Sequence, residues 1–511
     1  MATEAWNLLL LSATLALAIG VLLHRRLTST SHPRRALPPG PPPLPILGNF
    51  LFLVRNFENL SSAIGGLGAT YGPAVTLYVA GVPFVYILDR RLAHEALVER
   101  ASQFAHRLPP LGGSRVYSSD GHTISTAPYG SLWRLLRRNL SSGILHSARI
   151  KSCSWARERA LANLVESLRS EAACGKGVVH IYDQVQSAVF RLLTLICFGD
   201  AISEETIREI IPVERDIILF SSKLVLMDLW PRAAKVFQWR TWKKILAVRR
   251  KQEAIMSPLI RARRERRKEN REEVLCYVDT LVDLELPDEG GRKLTDDEIV
   301  SLCSEFINAG ADTTTTVLEW TMAELIRHPE LQKKLRQEIQ EVDGRTGGGV
   351  REEDLEKVVY LKAVILEALR RHPPAPMVVP HTVSEDTPLD KYVIPKGALV
   401  NFTLGQMARD ERVWEEPMEF RPERFMAGGE GEGVDISGNR EIKMTPFGAG
   451  RRICPGMGLG MFHIEYFLAN LVQEFEWKPA SEGEEVDMAE KLVFTVVMKH
   501  PLRARVIARV N

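Results

Sequence analysis

Apolar residues run without a charge from Ala5 to Leu23. As a helix, that stretch of about 19 residues spans roughly 28 Å, close to the hydrocarbon thickness of a bilayer. Glu4 precedes it; His24, Arg25 and Arg26 follow, with Arg34 and Arg35 beyond. Positive charge on the C-terminal side holds that side in the cytoplasm. The basic n-region of a cleaved signal peptide is missing. The pattern predicts a transmembrane signal-anchor helix over 5–23, followed by a basic and proline-rich hinge over 24–49. Pro38, Pro39, Pro41, Pro42, Pro43 and Pro45 favour a stiff, extended strut that orients the body against the membrane.

Beyond the strut the pattern is mostly helical. Ala74 to Asp89 reads as a β-hairpin turning at Ala80-Gly81, and short strands are expected near Tyr392 to Phe402 and over Lys491 to Val497. Arg261 to Glu273 is a charge run expected to form a solvated helix face. Thr295 and Glu298 make a capping box, and His328-Pro329 ends the helix they start, about 32 residues and near 48 Å long. Its centre holds Gly310 and Thr313 to Thr316, poor helix formers, which predicts a local opening of the hydrogen-bond ladder. There is no internal repeat and no break in composition after Pro45. The expectation is one large domain over 50–511, mainly α with small β-sheets (α+β).

The chain has 511 residues, 45% of them hydrophobic, enough for a large core. A net charge of +2 argues against a nucleic-acid binder driven by bulk charge. The six cysteines are scattered with no C-x-x-C pair, unlike a disulfide framework or a zinc site. Cys454 stands out, in "FGAGRRICPG" from Phe447 to Gly456. The loop offers no adjacent base for a nucleophile, no second cysteine for a redox pair and no further ligands for zinc. A single axial bond to haem iron needs only one cysteine. An amphipathic helix follows Gly456, so its N-terminus favours the thiolate. Arg452 is placed to meet a haem propionate, and Phe447 to pack against the sulfur.

Phe447, Gly450, Arg452, Cys454 and Gly456 match F-x-x-G-x-R-x-C-x-G in full, and the loop resembles the haem-thiolate signature of the cytochrome P-450 superfamily. Ala309 to Thr314 resembles that family's oxygen-binding pattern A-G-x-D-T-T. The resemblance implies that Thr313 hydrogen-bonds oxygen at the iron and that Asp312 relays protons from solvent. Glu367 and Arg370 match E-x-x-R, and with Arg424 of "FRPERF" they resemble the family's buried structural charge network. Trp133 and Arg137 resemble the W-x-x-x-R pair that meets a propionate. His381 sits where relatives place another propionate donor, a position a solvated histidine also explains. Arg134 and Arg138 suit either a docking patch for an acidic reductase or a plain solvated face. The resemblance covers nearly the whole chain and is strongest to plant microsomal members, the plant family numbered eighty-nine among them.

What it implies is a membrane-anchored haem-thiolate monooxygenase with haem b as cofactor. NADPH-cytochrome P-450 reductase would supply electrons, with a cytochrome b-type protein as a second donor. The expected place is the endoplasmic reticulum membrane, single-pass, with the catalytic domain cytosolic and in contact with membrane lipid. The mostly apolar segments Ala375 to Val379, Phe494 to Val496 and Phe104 to Thr126 should line a pocket for a hydrophobic small molecule. Two rival classes are a haem-thiolate isomerase or dehydratase needing no O2, against which Asp312 and Thr313 argue, and a non-catalytic haem-binding membrane protein.

Overall fold

The computed structural model describes residues 37–509 apart from 46, 80, 175–176, 230–234, 270–274 and 344–348. The membrane helix expected over 5–23 lies outside the described residues, as does the hinge before Leu37. Among the described residues no helix is long and apolar enough to cross a membrane.

The fold is mainly helical with small sheets. The helices that matter for the site are α1 (Ser131–Gly143), α2 (Ile181–Phe198), α3 (Glu204–Leu229), α4 (Trp239–Glu269), α5 (Asp296–Arg327), α6 (Val359–Arg371) and α7 (Met457–Glu474). The strands that bear on it are β1 (Ala74–Val79), β2 (Val82–Ile87), β3 (Val178–His180), β4 (His381–Thr382), β5 (Leu399–Phe402), β6 (Phe475–Pro479), β7 (Glu490–Leu492), β8 (Val496–Met498) and β9 (Arg503–Ala508). One sheet runs β1-β2-β5-β4 and another β6-β9-β3. β1 and β2 pair antiparallel from Ala74↔Ile87 to Val79↔Val82, the hairpin the sequence predicts. The strand region expected near Tyr392 to Phe402 divides into Tyr392–Ile394 and β5, which belong to different sheets. Antiparallel pairing of His381 with Val400 fixes His381 at the sheet edge.

α5 is the spine of the molecule. Its capping box forms as predicted: Glu298 N donates to Thr295 Oγ1 at 3.2 Å, and Thr295 N donates to Glu298 Oε2 at 2.8 Å. The helix ends at Arg327 with His328 as its cap. Most of it is buried against α2, α6 and α7, because apolar residues recur all round rather than on one stripe. The described part of the proline strut lies along β1. Thr76 N donates to Pro39 O at 2.9 Å and Tyr78 N to Asn49 Oδ1 at 2.8 Å. A Cβ on Gly40 would sit 1.9 Å from Thr76 O, so only glycine fits this approach.

Three expectations are corrected. Lys491 to Val497 is not one strand: β7 and β8 pair antiparallel through Leu492↔Val496. The chain bends at 493–495, where Thr495 Oγ1 donates to Asp312 Oδ2 at 2.7 Å. The charge run is not wholly a solvated face. Arg263 is buried, its Nε and Nη2 each 2.8 Å from a carboxylate oxygen of Asp279, while Arg261 and Arg264 reach Asp296 at 2.9 Å. Carboxylates from the next two helices pair with these side chains, and Asp279 draws Arg263 into the core. Finally, α5 passes through Gly310 without interruption. The threonine hydroxyls bond back to the helix: Thr313 Oγ1 donates to Ala309 O at 2.7 Å and Thr315 Oγ1 to Ala311 O at 2.8 Å.

Candidate functional site

Phe447 to Gly456 folds into a tight loop. Cys454 N donates to Phe447 O at 2.9 Å. Gly450 holds φ +70°, and a Cβ there would lie 1.7 Å from Leu97 O, so glycine is required on both counts. Gly456 caps α7 and turns its N–H toward the Cys454 sulfur. Cys454 is enclosed by protein but partly accessible. Burial pushes its thiol up, opposed by the Gly456 N–H and by the positive charge of Arg137. A sulfur in this state becomes a stable thiolate when a soft cation binds it.

Guanidinium groups surround the loop. Arg452 donates to three backbone carbonyls, Ala105, Ile124 and Ala127, at 2.8, 3.0 and 2.7 Å, and lies 4.6 Å from the ring centre of Trp133. Half of its role is therefore to fasten the 105–127 segment, which the motif alone does not reveal. Arg137 is half-buried on α1, four residues from the buried Trp133. Arg134 and Arg138 point outward and are exposed. Arg107, unmarked by any motif spacing, donates to Ser125 O and Pro380 O at 3.2 Å each. Among the described residues none of Arg107, Arg137 and Arg452 has an ion-pair partner. Burial and Arg452 push Arg107 down to about 9; burial and Arg137 push Arg452 down to about 10; burial also lowers Arg137. Trp133 Nε1 is buried with no acceptor. Uncompensated cations and an orphaned donor are costly unless an anion completes them.

His381 is buried rather than solvated. Its Nδ1 donates to Phe104 O at 2.5 Å, and its ring meets Phe402 edge-on. Burial and the nearby Arg107 hold it well below the usual histidine value, so it is neutral.

These residues fit haem b. The half-accessible sulfur offers the iron one axial ligand, and the arginines with Trp133 Nε1 offer the propionates charge and a hydrogen bond.

α5 supplies the second side of the site. Glu305, Ala309 and Thr313 recur every four residues and, with Asn308 and Gly310 beside them, form an accessible stripe on the helix. Glu305 accepts from Ile124 N at 2.8 Å and Ser125 N at 2.7 Å. Glu305 on α5 and Arg452 of the cysteine loop thus grip the N–H and C=O of the same residue, Ile124. Asp312 points elsewhere and is buried. Its Oδ1 accepts from Tyr182 at 3.1 Å and its Oδ2 from Thr495 at 2.7 Å. Burial pushes its carboxyl up, and the two hydroxyls oppose that. Tyr182 and Thr495 lie 130 and 183 residues away in sequence, beyond any local signal.

Glu367, Arg370 and Arg424 come together as expected, with fully buried side chains. Arg370 grips both Glu367 oxygens at 2.7 and 2.8 Å, and Arg424 Nε reaches Glu367 Oε1 at 3.3 Å. Arg421 N donates to the same oxygen at 2.8 Å. Arg370 also binds the carbonyls of Pro417 and Glu419, at 2.8 and 3.1 Å, and Arg424 that of Glu416 at 2.7 Å. Glu430, which the motif does not include, pairs with Arg424. The network ties the 416–430 segment to α6.

Known proteins match this chain along most of its length. The family model described as Cytochrome P450 matches residues 38–508. Cytochrome P450 89A9 of Arabidopsis thaliana is 44% identical over 483 residues, covering 93% of this chain and 94% of that one. Flavonoid 3'-monooxygenase of Arabidopsis thaliana is 31% identical over 502 residues, covering 97% and 95%. A solved zebra fish cytochrome P450 structure with abiraterone superposes at a TM-score of 0.73 with 23% identity, covering 88% of this chain and 100% of that one, a likeness of fold.

Proposed function

Because the chain belongs to the cytochrome P450 family, we propose that this haem-thiolate monooxygenase is anchored in the endoplasmic reticulum membrane and oxidises a hydrophobic small organic metabolite with electrons that a flavoprotein reductase draws from NADPH. The observation that carries this reading is the partly accessible Cys454 among three guanidiniums that form no ion pair among the described residues. Haem b, when bound, supplies the activation of O2 and the transfer of one oxygen atom to the substrate. The chain supplies the rest. Cys454 would ligate the iron through its sulfur, with the Gly456 N–H moderating its donor strength. Arg107, Arg137, Arg452 and Trp133 Nε1 would hold the propionates. Thr313 presents a hydroxyl on the accessible stripe, and Asp312, next to it in the chain, would pass protons on from the side of Tyr182 and Thr495. Ala309 on the accessible stripe and Val378 beside Gly448 of the cysteine loop offer apolar surface to a hydrophobic substrate.

Thr313 tests the mechanism. Its hydroxyl bonds only to Ala309 O, so replacing it costs no buried partner. Thr313→Ala also has slightly better helix propensity. Stability and substrate affinity are expected to match wild type, while product formed per NADPH falls several-fold and the shortfall appears as hydrogen peroxide. Parallel assays of NADPH, peroxide and product check this; equal coupling in both proteins would reduce Thr313 to a packing residue.

The anchor is tested by removing residues through His24. The full-length protein is expected to resist alkaline extraction from microsomes, and the truncated one to be extracted. Residual peripheral binding is expected through exposed Leu44, Leu51, Val236 and Phe237. Extraction of the full-length protein, or a C-terminus protected from protease, would overturn the anchor or its orientation.

A further inference from the structure

Glu319 is a buried carboxylate without a role in the site so far. It follows Asp312 by seven residues on α5, two turns along the same face, about 10 Å of helical rise. Its side chain is 1% exposed. Oε1 accepts from Leu502 N at 2.9 Å, and Oε2 has no partner. Such an atom carries a desolvation cost that the backbone N–H groups of Leu502 and Met498 only partly offset. Glu319 and Asp312 line one cavity of about 180 Å³, together with Tyr182, Gln186 and Arg215. That exceeds the ~10–15 Å³ one water molecule requires, and because the rest of the lining is apolar (Ile218, Leu219, Val493 and Val497 among it), water would be held at the polar end formed by these groups. Its outer side is Arg215, which is ion-paired to Asp183 at 3.0 Å, both residues being solvent-exposed in part.

We propose that Glu319 passes protons from solvent to Asp312 through this cavity, making α5 a two-carboxylate relay. The inference rests on the role proposed above for Asp312. Monooxygenation consumes one O2, two electrons and two protons, and yields one oxidised substrate and one water. NADPH supplies the electrons through the reductase, and the solvent supplies the protons. In each transfer the Glu319 carboxylate takes a proton at the Arg215 side. It gives that proton through cavity water to the Asp312 carboxylate and returns to its ionised form. Asp312 releases the proton toward Thr313. Glu319 touches neither cofactor nor substrate, so it is a positioning residue that acts through Asp312.

The electrostatics suit the task. The groups facing Glu319 are Asp183 and Tyr182 on α2, Arg215 on α3 and Asp312 on α5 itself. Burial first, and then the charges of Asp183 and Asp312, raise Glu319 to about 7, whereas the N–H groups of Leu502 and Met498 oppose this. A carboxyl near neutrality can both take and give a proton at working pH. Because the folded state keeps this proton longer than the unfolded chain, stability falls as pH rises from the ordinary carboxyl range through about 7.

Glu319→Gln keeps the acceptor for Leu502 N and removes the titration. Wild type, Glu319→Gln, Glu319→Asp and Asp312→Asn are purified as haem proteins, checked by their reduced carbonyl spectra, and assayed with reductase. Peroxide and product are both counted per NADPH with a substrate that wild type turns over, since without one there is no coupling to lose. At neutral pH Glu319→Gln is expected to release several-fold more peroxide than wild type, with a flat pH profile, and Glu319→Asp to recover most of the coupling. In thermal unfolding without reductase, the advantage of Glu319→Gln over wild type is expected to widen between about pH 5 and pH 8. Wild-type peroxide release and pH profile in Glu319→Gln, or a stability difference independent of pH, would overturn the relay. If Asp312→Asn alone raises peroxide, only the part given to Glu319 fails; if neither variant does, the role of Asp312 fails with it.

Discussion

Glu367→Ala is expected to leave the cell with little haem-containing protein. Glu367 is the carboxylate that Arg370 and Arg424 share, and all three side chains are fully buried. An exposed pair at this helical spacing contributes under about 1 kcal/mol. A buried one behaves differently, because removing one partner strands the others in a low dielectric at a cost of roughly 3–5 kcal/mol. That is a large share of the ~5–15 kcal/mol that holds a typical domain together. Arg424 keeps Glu430, but Arg370 has no other carboxylate in contact among the described residues. Its carbonyl bonds to Pro417 and Glu419 would then hold a bare charge. The 416–430 segment should loosen. Haem content per milligram and thermal unfolding of Glu367→Ala and Arg370→Ala check this; normal values in both would mean that the network is dispensable. Glu367→Gln, which keeps the shape, should lie between.

How much of this was legible in the sequence differs from residue to residue. The capping box of α5 was, because Thr295 and Glu298 satisfy each other within one turn and need nothing else. The β1-β2 hairpin and the cysteine loop were too, since their glycines answer local backbone demands. Assembly of Glu367, Arg370 and Arg424 followed from family resemblance and not from spacing, as an i, i+3 pair looks the same on a surface. Arg107 and Glu305 carry no motif because each acts through a partner distant in sequence, and Glu430 because it lies in a glycine-rich loop that gives no sign of turning back to Arg424. The bend at 493–495 had the same cause: a run rich in β-branched residues reads as one strand until Asp312 takes the Thr495 hydroxyl. Arg263 was misplaced because a charge run carries no sign of the carboxylate waiting for it, here Asp279. The centre of α5 was misjudged for another reason. Helix propensity counts threonine as a weakness, but back-bonding to Ala309 and Ala311 lets the helix continue.

The most direct test of the account is the reduced carbonyl spectrum of the purified protein beside that of Cys454→Ser. Cys454 is the cysteine whose sulfur is partly accessible inside the site; Cys197, Cys276 and Cys303 are buried in packed core. A thiolate is a soft, strongly donating ligand, and a serine hydroxyl at the same place is hard and mostly protonated. The substitution keeps the size of the side chain and leaves the Arg452 and Arg137 contacts in place, so folding should be retained. Wild type is expected to show the red-shifted Soret band of a thiolate-ligated haem, and Cys303→Ser the same band. Cys454→Ser is expected to lose that band entirely. A folded Cys454→Ser protein that still shows it would contradict the assignment of Cys454 as the haem ligand.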